Sequence, residues 1–232
     1  MLILDYGSQY TQLIARRIRE AGVYSEIHPF HNAMAVISRN RPSAIILSGG
    51  PSSVYDQEAP KLDVGIANLK VPVLGICYGL QALSHCLGGS VESASEREYG
   101  RANLISIDSD SLLLKDVSVG TQVWMSHGDK VNKLPLGFHA TARTADTDFA
   151  VIENRDLNIY GVQFHPEVAH TPEGSAIIHN FLFRISQLQP TWSMSSFIES
   201  TVKELKDKIG NAHVVAALSG GVDSSVMVAL LH

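Results

Sequence analysis

Residues 71–81 read Val71-Pro72-Val73-Leu74-Gly75-Ile76-Cys77-Tyr78-Gly79-Leu80-Gln81, an apolar run that leads directly into a cysteine with a glycine two residues away on each side. This layout is typical of a nucleophile elbow, the strained turn between a strand and a helix that lifts a nucleophile out of a parallel sheet. Gly75 and Gly79 lack the side chains that would collide in so tight a turn. The run predicts a doubly wound α/β fold with Cys77 at the end of a buried strand.

The residues after this cysteine predict a helix from Tyr78 to Leu87, which Gly88-Gly89 would end. Cys77 would then lie at a helix N-terminus, where unsatisfied N–H groups favour the thiolate form of a cysteine. A core cysteine at a strand end is the alternative interpretation, since free cysteine is among the most buried residue types. The cysteine block alone does not decide between the two.

A second strand-like run, residues 158–164, delivers His165-Pro166-Glu167 into a loop. Loops that follow parallel strands share one edge of a sheet, so we expect His165 to approach Cys77. His165 would take the thiol proton, and Glu167 would orient the imidazole and stabilise its charged form. A His-Pro-Glu tripeptide by itself is ordinary surface loop, but together with the elbow it predicts a catalytic triad.

The rest of the chain alternates in the way a mainly parallel sheet requires. Strand-like runs at 2–5, 24–28, 43–47 and 71–76 alternate with helical runs at 9–21, 32–39 and 57–68. Shorter β-rich segments follow the elbow helix at 102–107, 122–125, 139–144 and 149–153, and they predict that part of the sheet is antiparallel. Thr171-Pro172-Glu173 then opens a helix that continues through Ile185.

Three blocks together resemble the class I, or triad-type, glutamine amidotransferases. They are the oxyanion-loop block Leu47-Ser48-Gly49-Gly50-Pro51, the nucleophile block 75–81 and the base block Gly161-Val162-Gln163-Phe164-His165-Pro166-Glu167. The resemblance covers roughly the first four-fifths of the chain. Within that family, residues 3–10, 96–100 and 124–129 resemble the glutamine-hydrolysing GMP synthases.

The resemblance implies further site residues. The N–H groups of Gly50 and Tyr78 would hold the oxyanion that forms when Cys77 attacks a carboxamide. Glu98 is the candidate for the ammonium group of glutamine, and the backbone at Ser126 and His127 for its carboxylate. The complete glutamine-binding set is Gly49, Gln81, Glu98, Ser126 and His127. From the residues alone, the alternative is that each is an ordinary turn, surface or capping residue without a role in binding.

A second motif lies near the other end of the chain. The apolar run 213–218 predicts a strand, and Ser219-Gly220-Gly221-Val222-Asp223-Ser224-Ser225 follows it and opens an apolar helix. Free N–H groups and serine hydroxyls at such a turn suit a pyrophosphate, although the lysine of a Walker A loop is absent. An ordinary glycine-serine turn is the alternative. The seven-residue run, Ser219, Gly220, Gly221, Val222, Asp223, Ser224 and Ser225, resembles the pyrophosphate loop of ATP pyrophosphatases.

The segment 187–191 is the predicted linker, which gives an amidotransferase domain over 1–188 and an N-terminal fragment of an ATP pyrophosphatase domain over 189–232. An amphipathic helix over 195–209 would open the second domain. The resemblance implies no cofactor for glutamine hydrolysis, and ATP with Mg2+ for the amination of xanthosine monophosphate to GMP. We expect the groups that bind adenine and xanthosine monophosphate to follow His232, and a homo-oligomer of the full-length enzyme is left open.

Composition narrows the function classes. The 232 residues carry a formal net charge of −5 without a basic run, so we expect neither nucleic acid nor a membrane surface as a partner. Cys86 is expected to be a small buried apolar residue rather than half of a disulfide. Met1–Asp5 is expected to be a core strand rather than a signal peptide, and no apolar run is long enough to span a membrane. The ten histidines lack the spacing of a zinc site. These features favour a cytoplasmic enzyme without a metal site.

Two other functions remain to be weighed. One is a peptidase or non-enzymatic protein with the same cysteine elbow, which Gln81 and the His-Pro-Glu pattern disfavour. The other is a class I amidotransferase that feeds CTP or anthranilate synthesis, which the loop at 219–225 disfavours. An assay for glutamate release separates a glutaminase from a peptidase or a non-enzymatic protein.

Overall fold

A computed structural model describes residues 1–231, with the backbone but not the side chains of residues 94–98. The chain divides into two compact units, and the boundary falls between Gln189 and Pro190.

The first unit is built on an eight-stranded sheet and a separate two-stranded ribbon. The sheet contains β1 (Leu2–Asp5), β2 (Glu26–Pro29), β3 (Ile45–Leu47), β4 (Val73–Ile76), β6 (Ser106–Ile107), β8 (His139–Arg143), β9 (Val151–Asn154) and β10 (Ile159–Val162), and the ribbon pairs β5 (Ser90–Asn103) with β7 (Gln122–Lys133). The order in the sheet is β2-β1-β3-β4-β10-β9-β8-β6. The first five strands run parallel and the last three antiparallel, which confirms the predicted mixed sheet.

Helices cover both faces of this sheet. They are α1 (Thr11–Glu20), α2 (Ala33–Asn40), α3 (Tyr78–Cys86) and α4 (Gly174–His179), and α4 continues as a π-helical turn over Asn180–Ile185. Because successive strand residues point to opposite faces, Ile3 and Ile46 pack with α1 and α4, whereas Leu4 and Leu47 pack with α2 and α3. Burial of each such side chain contributes about 1.5–3 kcal/mol. The strand ends that carry the predicted site are therefore held between two packed layers.

The predicted helix over 57–68 is wrong. The structure has a short 3-10 helix over Val64–Asn68, and residues 57–63 form turns and irregular chain. Pro60 lacks an N–H and disfavours helical geometry at the residue before it. The Asp63 side chain accepts a hydrogen bond from the Gly65 N–H at 2.8 Å, which starts the 3-10 turn at this later point.

The ribbon is longer than the β-rich runs predict. The expected strand over 122–125 continues to Lys133, so Ser126 and His127 lie within β7 rather than in a loop after it. Its partner β5 spans Ser90–Asn103, with a register irregularity between Ser93 and Glu98. The pairing that extends both strands joins residues far apart in the chain, so no local pattern in either strand reveals it.

The second unit contains two helices, α5 (Met194–Ile209) and α6 (Val222–Leu231). A capping box at Ser193 and Ser196 fixes the start of α5. The predicted strand over 213–218 is wrong, because those residues are irregular and exposed. A strand needs a neighbouring strand for its hydrogen bonds, and the described part of this unit contains none. Nowhere in residues 1–231 is there a helix long and apolar enough to cross a membrane.

Candidate active site

The turn between β4 and α3 is strained at Cys77. Its φ of 52° and ψ of −107° lie in a region that side-chain-bearing residues rarely adopt. A Cβ on Gly75 would lie 2.6 Å from the Leu80 nitrogen, and one on Gly79 would collide with the Leu47 carbonyl. The Cys77 N–H donates to the Val162 carbonyl at 2.8 Å, which ties the turn to β10. The glycines flanking Cys77 are therefore required by close backbone approach, as an elbow demands.

The structure brings His165 and Glu167 to this turn. The His165 imidazole is hydrogen-bonded to the Cys77 thiol, and its Nδ1 lies 2.8 Å from the Glu167 Oε1. All three side chains are buried, with exposed fractions of 3% for Cys77, 3% for His165 and 0% for Glu167. The three residues thus form a continuous thiol–imidazole–carboxylate chain.

The surroundings of His165 favour its charged form. Burial lowers the pKa of the imidazole, but hydrogen bonds to Cys77 and Glu167 and the negative charges of the same two groups outweigh burial and raise it to about 10. The imidazole is therefore protonated at neutral pH.

Contacts within the histidine loop and with two distant segments hold it in place. The Thr171 hydroxyl donates to the His165 carbonyl at 2.7 Å and accepts from the Trp124 N–H at 3.1 Å, and the His165 N–H donates to the Trp124 carbonyl at 3.0 Å. The Tyr10 ring packs against the imidazole with centroids 5.0 Å apart. Sequence reasoning missed Thr171 and Tyr10, because the contact of Thr171 with Trp124 and that of Tyr10 with His165 join residues far apart in the chain.

A cleft of about 650 Å³ opens above the cysteine. Six of the predicted site residues line it: Gly50, Cys77, Gln81, Ser126, His127 and His165. Gly49 lies beside the cysteine and histidine, since a Cβ placed on it would be 3.1 Å from His165 Cε1 and 3.6 Å from Cys77 Cβ. The side chain of Glu98 lies outside the described residues, and its backbone pairs with His127.

A buried chain of amides leads to the sulfur. The Gln81 Nε2 donates to the Asp129 carbonyl at 2.6 Å and to the Gln163 Oε1 at 3.4 Å, and the Gln163 Nε2 lies 3.8 Å from Cys77 Sγ. On its other side, the Cys77 thiol faces the Ser126 carbonyl at 3.6 Å. Sequence reasoning missed Gln163, although two-residue alternation with His165 on an extended strand was a signal that could have revealed it.

Asp129 is a further residue that sequence reasoning missed. Asp129 lines the cleft, and its buried Oδ2 has no hydrogen-bond partner among the residues that the structure describes. A buried carboxylate oxygen without a partner is costly. A positively charged group of a ligand in the cleft would remove that cost.

The predicted donors of the oxyanion hole are the backbone N–H groups of Gly50 and Tyr78. Tyr78 is the first residue of α3, so its N–H has no acceptor within the helix. Gly50 lines the cleft, and a Cβ there would lie 2.6 Å from the Tyr6 carbonyl, so only glycine fits. The positions suit the two donors of an oxyanion hole.

The loop at 219–225 lies in the second unit and is exposed. Gly220 has a φ of 82°, and the hydroxyls of Ser224 and Ser225 donate to the Gly221 carbonyl at 3.0 and 2.9 Å. The serine hydroxyls thus form hydrogen bonds within their own loop, and the N–H groups at the start of α6 are the donors left for an anion.

Across residues 1–231, outside the undescribed side chains of 94–98, no group of three or more histidine, cysteine, aspartate or glutamate side chains could hold a metal ion.

Curated relatives match the whole chain. The chain is 52% identical over 231 residues to a glutamine-hydrolyzing GMP synthase of Brachyspira hyodysenteriae and 53% identical over 233 residues to one of Nitratidesulfovibrio vulgaris. In both cases the match covers 100% of this chain and 45% of the relative. The chain therefore spans about half the length of the curated relatives it matches.

The chain is also similar to a solved structure and to a family model. A crystal structure from Thermoplasma acidophilum, of a protein described as one subunit of GMP synthase, has a TM-score of 0.69 and 26% identity and covers 86% of this chain and 95% of its own. The family model for class-I glutamine amidotransferases matches residues 2–185, which include the elbow, the histidine loop and the cleft. The chain belongs to the class-I glutamine amidotransferase family.

Proposed function

We propose that this chain hydrolyses L-glutamine at Cys77 and that, within a longer enzyme, the ammonia aminates xanthosine monophosphate to GMP. The main support for glutamine hydrolysis is the buried His165, which is hydrogen-bonded to Cys77 on one side and to Glu167 on the other at the floor of an open cleft. The membership of the family supports glutamine as the substrate.

The proposed reaction starts from a thiolate–imidazolium pair. The Cys77 sulfur attacks the side-chain carbonyl carbon of glutamine, and the carbonyl oxygen becomes an oxyanion held by the N–H groups of Gly50 and Tyr78. The intermediate collapses as His165 gives its proton to the leaving nitrogen, which departs as ammonia and leaves a thioester. His165 then takes a proton from water, the hydroxide attacks the thioester, and glutamate leaves with Cys77 as thiolate and His165 protonated again. Glu167 orients the ring and balances its charge throughout.

Asp129 and Gln81 fit the other end of the substrate. The unpartnered Asp129 Oδ2 suits the ammonium group of glutamine, and the Gln81 carboxamide lies at the same wall of the cleft. The proposed contacts of Gly49, Ser126 and His127 agree in position with this arrangement, because Ser126 and His127 line the cleft and Gly49 adjoins the reacting atoms. The assignment of Glu98 stays a prediction.

The synthase step is supported by the relatives and by the second motif. Both curated relatives are named GMP synthase, and the 219–225 loop offers N–H groups for the pyrophosphate of ATP. The first unit would be the amidotransferase domain and the second the start of an ATP pyrophosphatase domain, with ATP and Mg2+ required for amination only. Both cysteines are free thiols, which suits a catalytic thiol kept reduced in the cytoplasm.

One experiment tests both steps. Glutamine labelled with 15N in its side-chain amide is given to the purified chain, and glutamate and labelled ammonia are measured, with asparagine as the control substrate. The chain is then mixed with the C-terminal portion of a curated relative, ATP, Mg2+ and xanthosine monophosphate, and the 2-amino group of GMP is examined for 15N. Hydrolysis of asparagine at the same rate would contradict the proposed substrate, and unlabelled GMP would contradict the proposed transfer.

The raised pKa of His165 predicts the shape of the pH profile. The protonated imidazole is the group that gives a proton to the leaving ammonia, so glutamine hydrolysis should stay near its maximum up to about pH 9 and fall as pH rises through the His165 pKa of about 10. Glu167→Gln removes a charge that raises this pKa, so the falling limb should move to lower pH. The measurement is kcat/KM for glutamate release from pH 6 to 11. A falling limb at the same pH in both proteins would contradict the assignment.

A further inference from the structure

Ser48 is buried next to the proposed oxyanion hole and belongs to neither the triad nor the glutamine-binding set. It follows β3 directly, its side chain is fully buried, and its own N–H donates to the Leu4 carbonyl at 3.0 Å. The Ser48 hydroxyl accepts a hydrogen bond from the Tyr6 N–H at 2.9 Å and donates one to the Gly49 carbonyl at 2.8 Å. The hydroxyl thus links the loop after β1 to the peptide between Gly49 and Gly50.

The orientation of that peptide decides whether Gly50 presents a donor or an acceptor. In a trans peptide, the C=O of one residue and the N–H of the next point in opposite directions. Because Ser48 holds the Gly49 carbonyl, the Gly50 N–H points away from Ser48. An inverted peptide would carry the Gly49 carbonyl to the position that the N–H now occupies, and a carbonyl oxygen there would repel an oxyanion.

Two glycines make this inversion sterically accessible unless something prevents it. Neither Gly49 nor Gly50 has a side chain that would restrict rotation of the peptide between them. The Tyr6 carbonyl lies so close to Gly50 that no Cβ would fit, so a bulkier residue is not available to fix the peptide. A hydrogen bond from a buried hydroxyl supplies the restraint instead.

We propose that Ser48 is a positioning residue that holds the Gly49–Gly50 peptide with the Gly50 N–H turned toward the oxyanion. The inference rests on the proposed glutamine hydrolysis, and it adds a residue that acts through Gly50 without touching the substrate. It assigns to Ser48 an effect on the step that builds negative charge on oxygen, and no effect on the reactivity of the Cys77 sulfur.

The test compares two reactions of Cys77 in Ser48→Ala. Glutamine hydrolysis passes through an oxyanion, whereas alkylation by iodoacetamide forms the S–C bond as iodide leaves and needs no oxyanion hole. We expect kcat for glutamate release to fall about 10²-fold, the lower end of the loss for one oxyanion-hole donor, with KM changed less than threefold. The rate of Cys77 alkylation should stay within about twofold of the unsubstituted chain. An unchanged kcat, or an equal loss in both reactions, would overturn the proposal.

Ser84→Ala is the matched control, because Ser84 is equally buried and its hydroxyl has no hydrogen-bond partner within the described part of the chain. It should change neither reaction. A crystal structure of Ser48→Ala gives a readout that does not depend on turnover: an inverted or doubly oriented Gly49–Gly50 peptide supports the proposal, and an unchanged peptide overturns it. If the unsubstituted chain releases no glutamate while Ser48→Ala shows the inverted peptide, the proposed function fails and the role of Ser48 in positioning the peptide stands.

Discussion

Replacement of Cys77 by alanine is expected to abolish glutamine hydrolysis, with a loss on the order of 10⁶-fold, the magnitude seen when a nucleophile is removed. The sulfur is the atom that His165 contacts and toward which the cleft opens, and alanine supplies no other nucleophile there. The measurements are glutamate release and covalent labelling by an electrophile that mimics glutamine, with the labelled peptide identified by mass spectrometry.

Cys86→Ala is the matched control. Cys86 lies at the end of α3, its thiol faces the Leu62 carbonyl at 3.7 Å, and burial, followed by the nearby Asp63, raises its pKa. The structure corrects the expectation of a small buried apolar residue, since Cys86 is half-buried. A thiol held in its neutral form is a poor nucleophile, so Cys86→Ala should retain full activity. Substantial turnover in Cys77→Ala, or label on Cys86, would refute the assignment of the nucleophile.

Replacement of His165 should cost nearly as much as replacement of Cys77, because one imidazole stabilises the thiolate and also protonates the leaving ammonia. Glu167→Gln keeps the shape of the side chain and removes its charge, so the loss in kcat should be smaller, about 10²–10⁴-fold. His165→Ala and Glu167→Gln are compared by glutamate release at pH 7, each with a check of folding by thermal denaturation.

His170→Ala is the control for the histidine, because His170 lies in the same loop, is exposed, and packs its ring against that of Trp124 with centroids 4.4 Å apart. It should leave the rate within about threefold of the original, as expected for a surface substitution. A larger loss in Glu167→Gln than in His165→Ala would require the two roles to be exchanged or reassigned.

Local sequence was sufficient where a feature is determined by neighbours along the chain. The elbow at Cys77 follows from an apolar strand and two glycines that backbone contacts require, and α3 and α5 lie within a residue or two of the predicted ranges. The same local reasoning failed where an element depends on a distant partner or on a single residue. Pro60 breaks the predicted helix over 57–68, and the run 213–218 has the composition of a strand without a strand beside it in the described chain.

The sequence by itself determined the order of the candidate site: a cysteine after one parallel strand, and a histidine with a carboxylate after another, which the sheet topology must bring to one edge. Only the tertiary structure decided which side chains support them. Thr171 on the histidine loop, Gln163 beside the sulfur and Ser48 beside Gly49 each form hydrogen bonds with distant segments, and Asp129 lies in the cleft as part of β7. A hydrogen bond of this kind depends on distance and orientation in the folded chain, which the packing of the sheet and its helices sets and no local periodicity encodes.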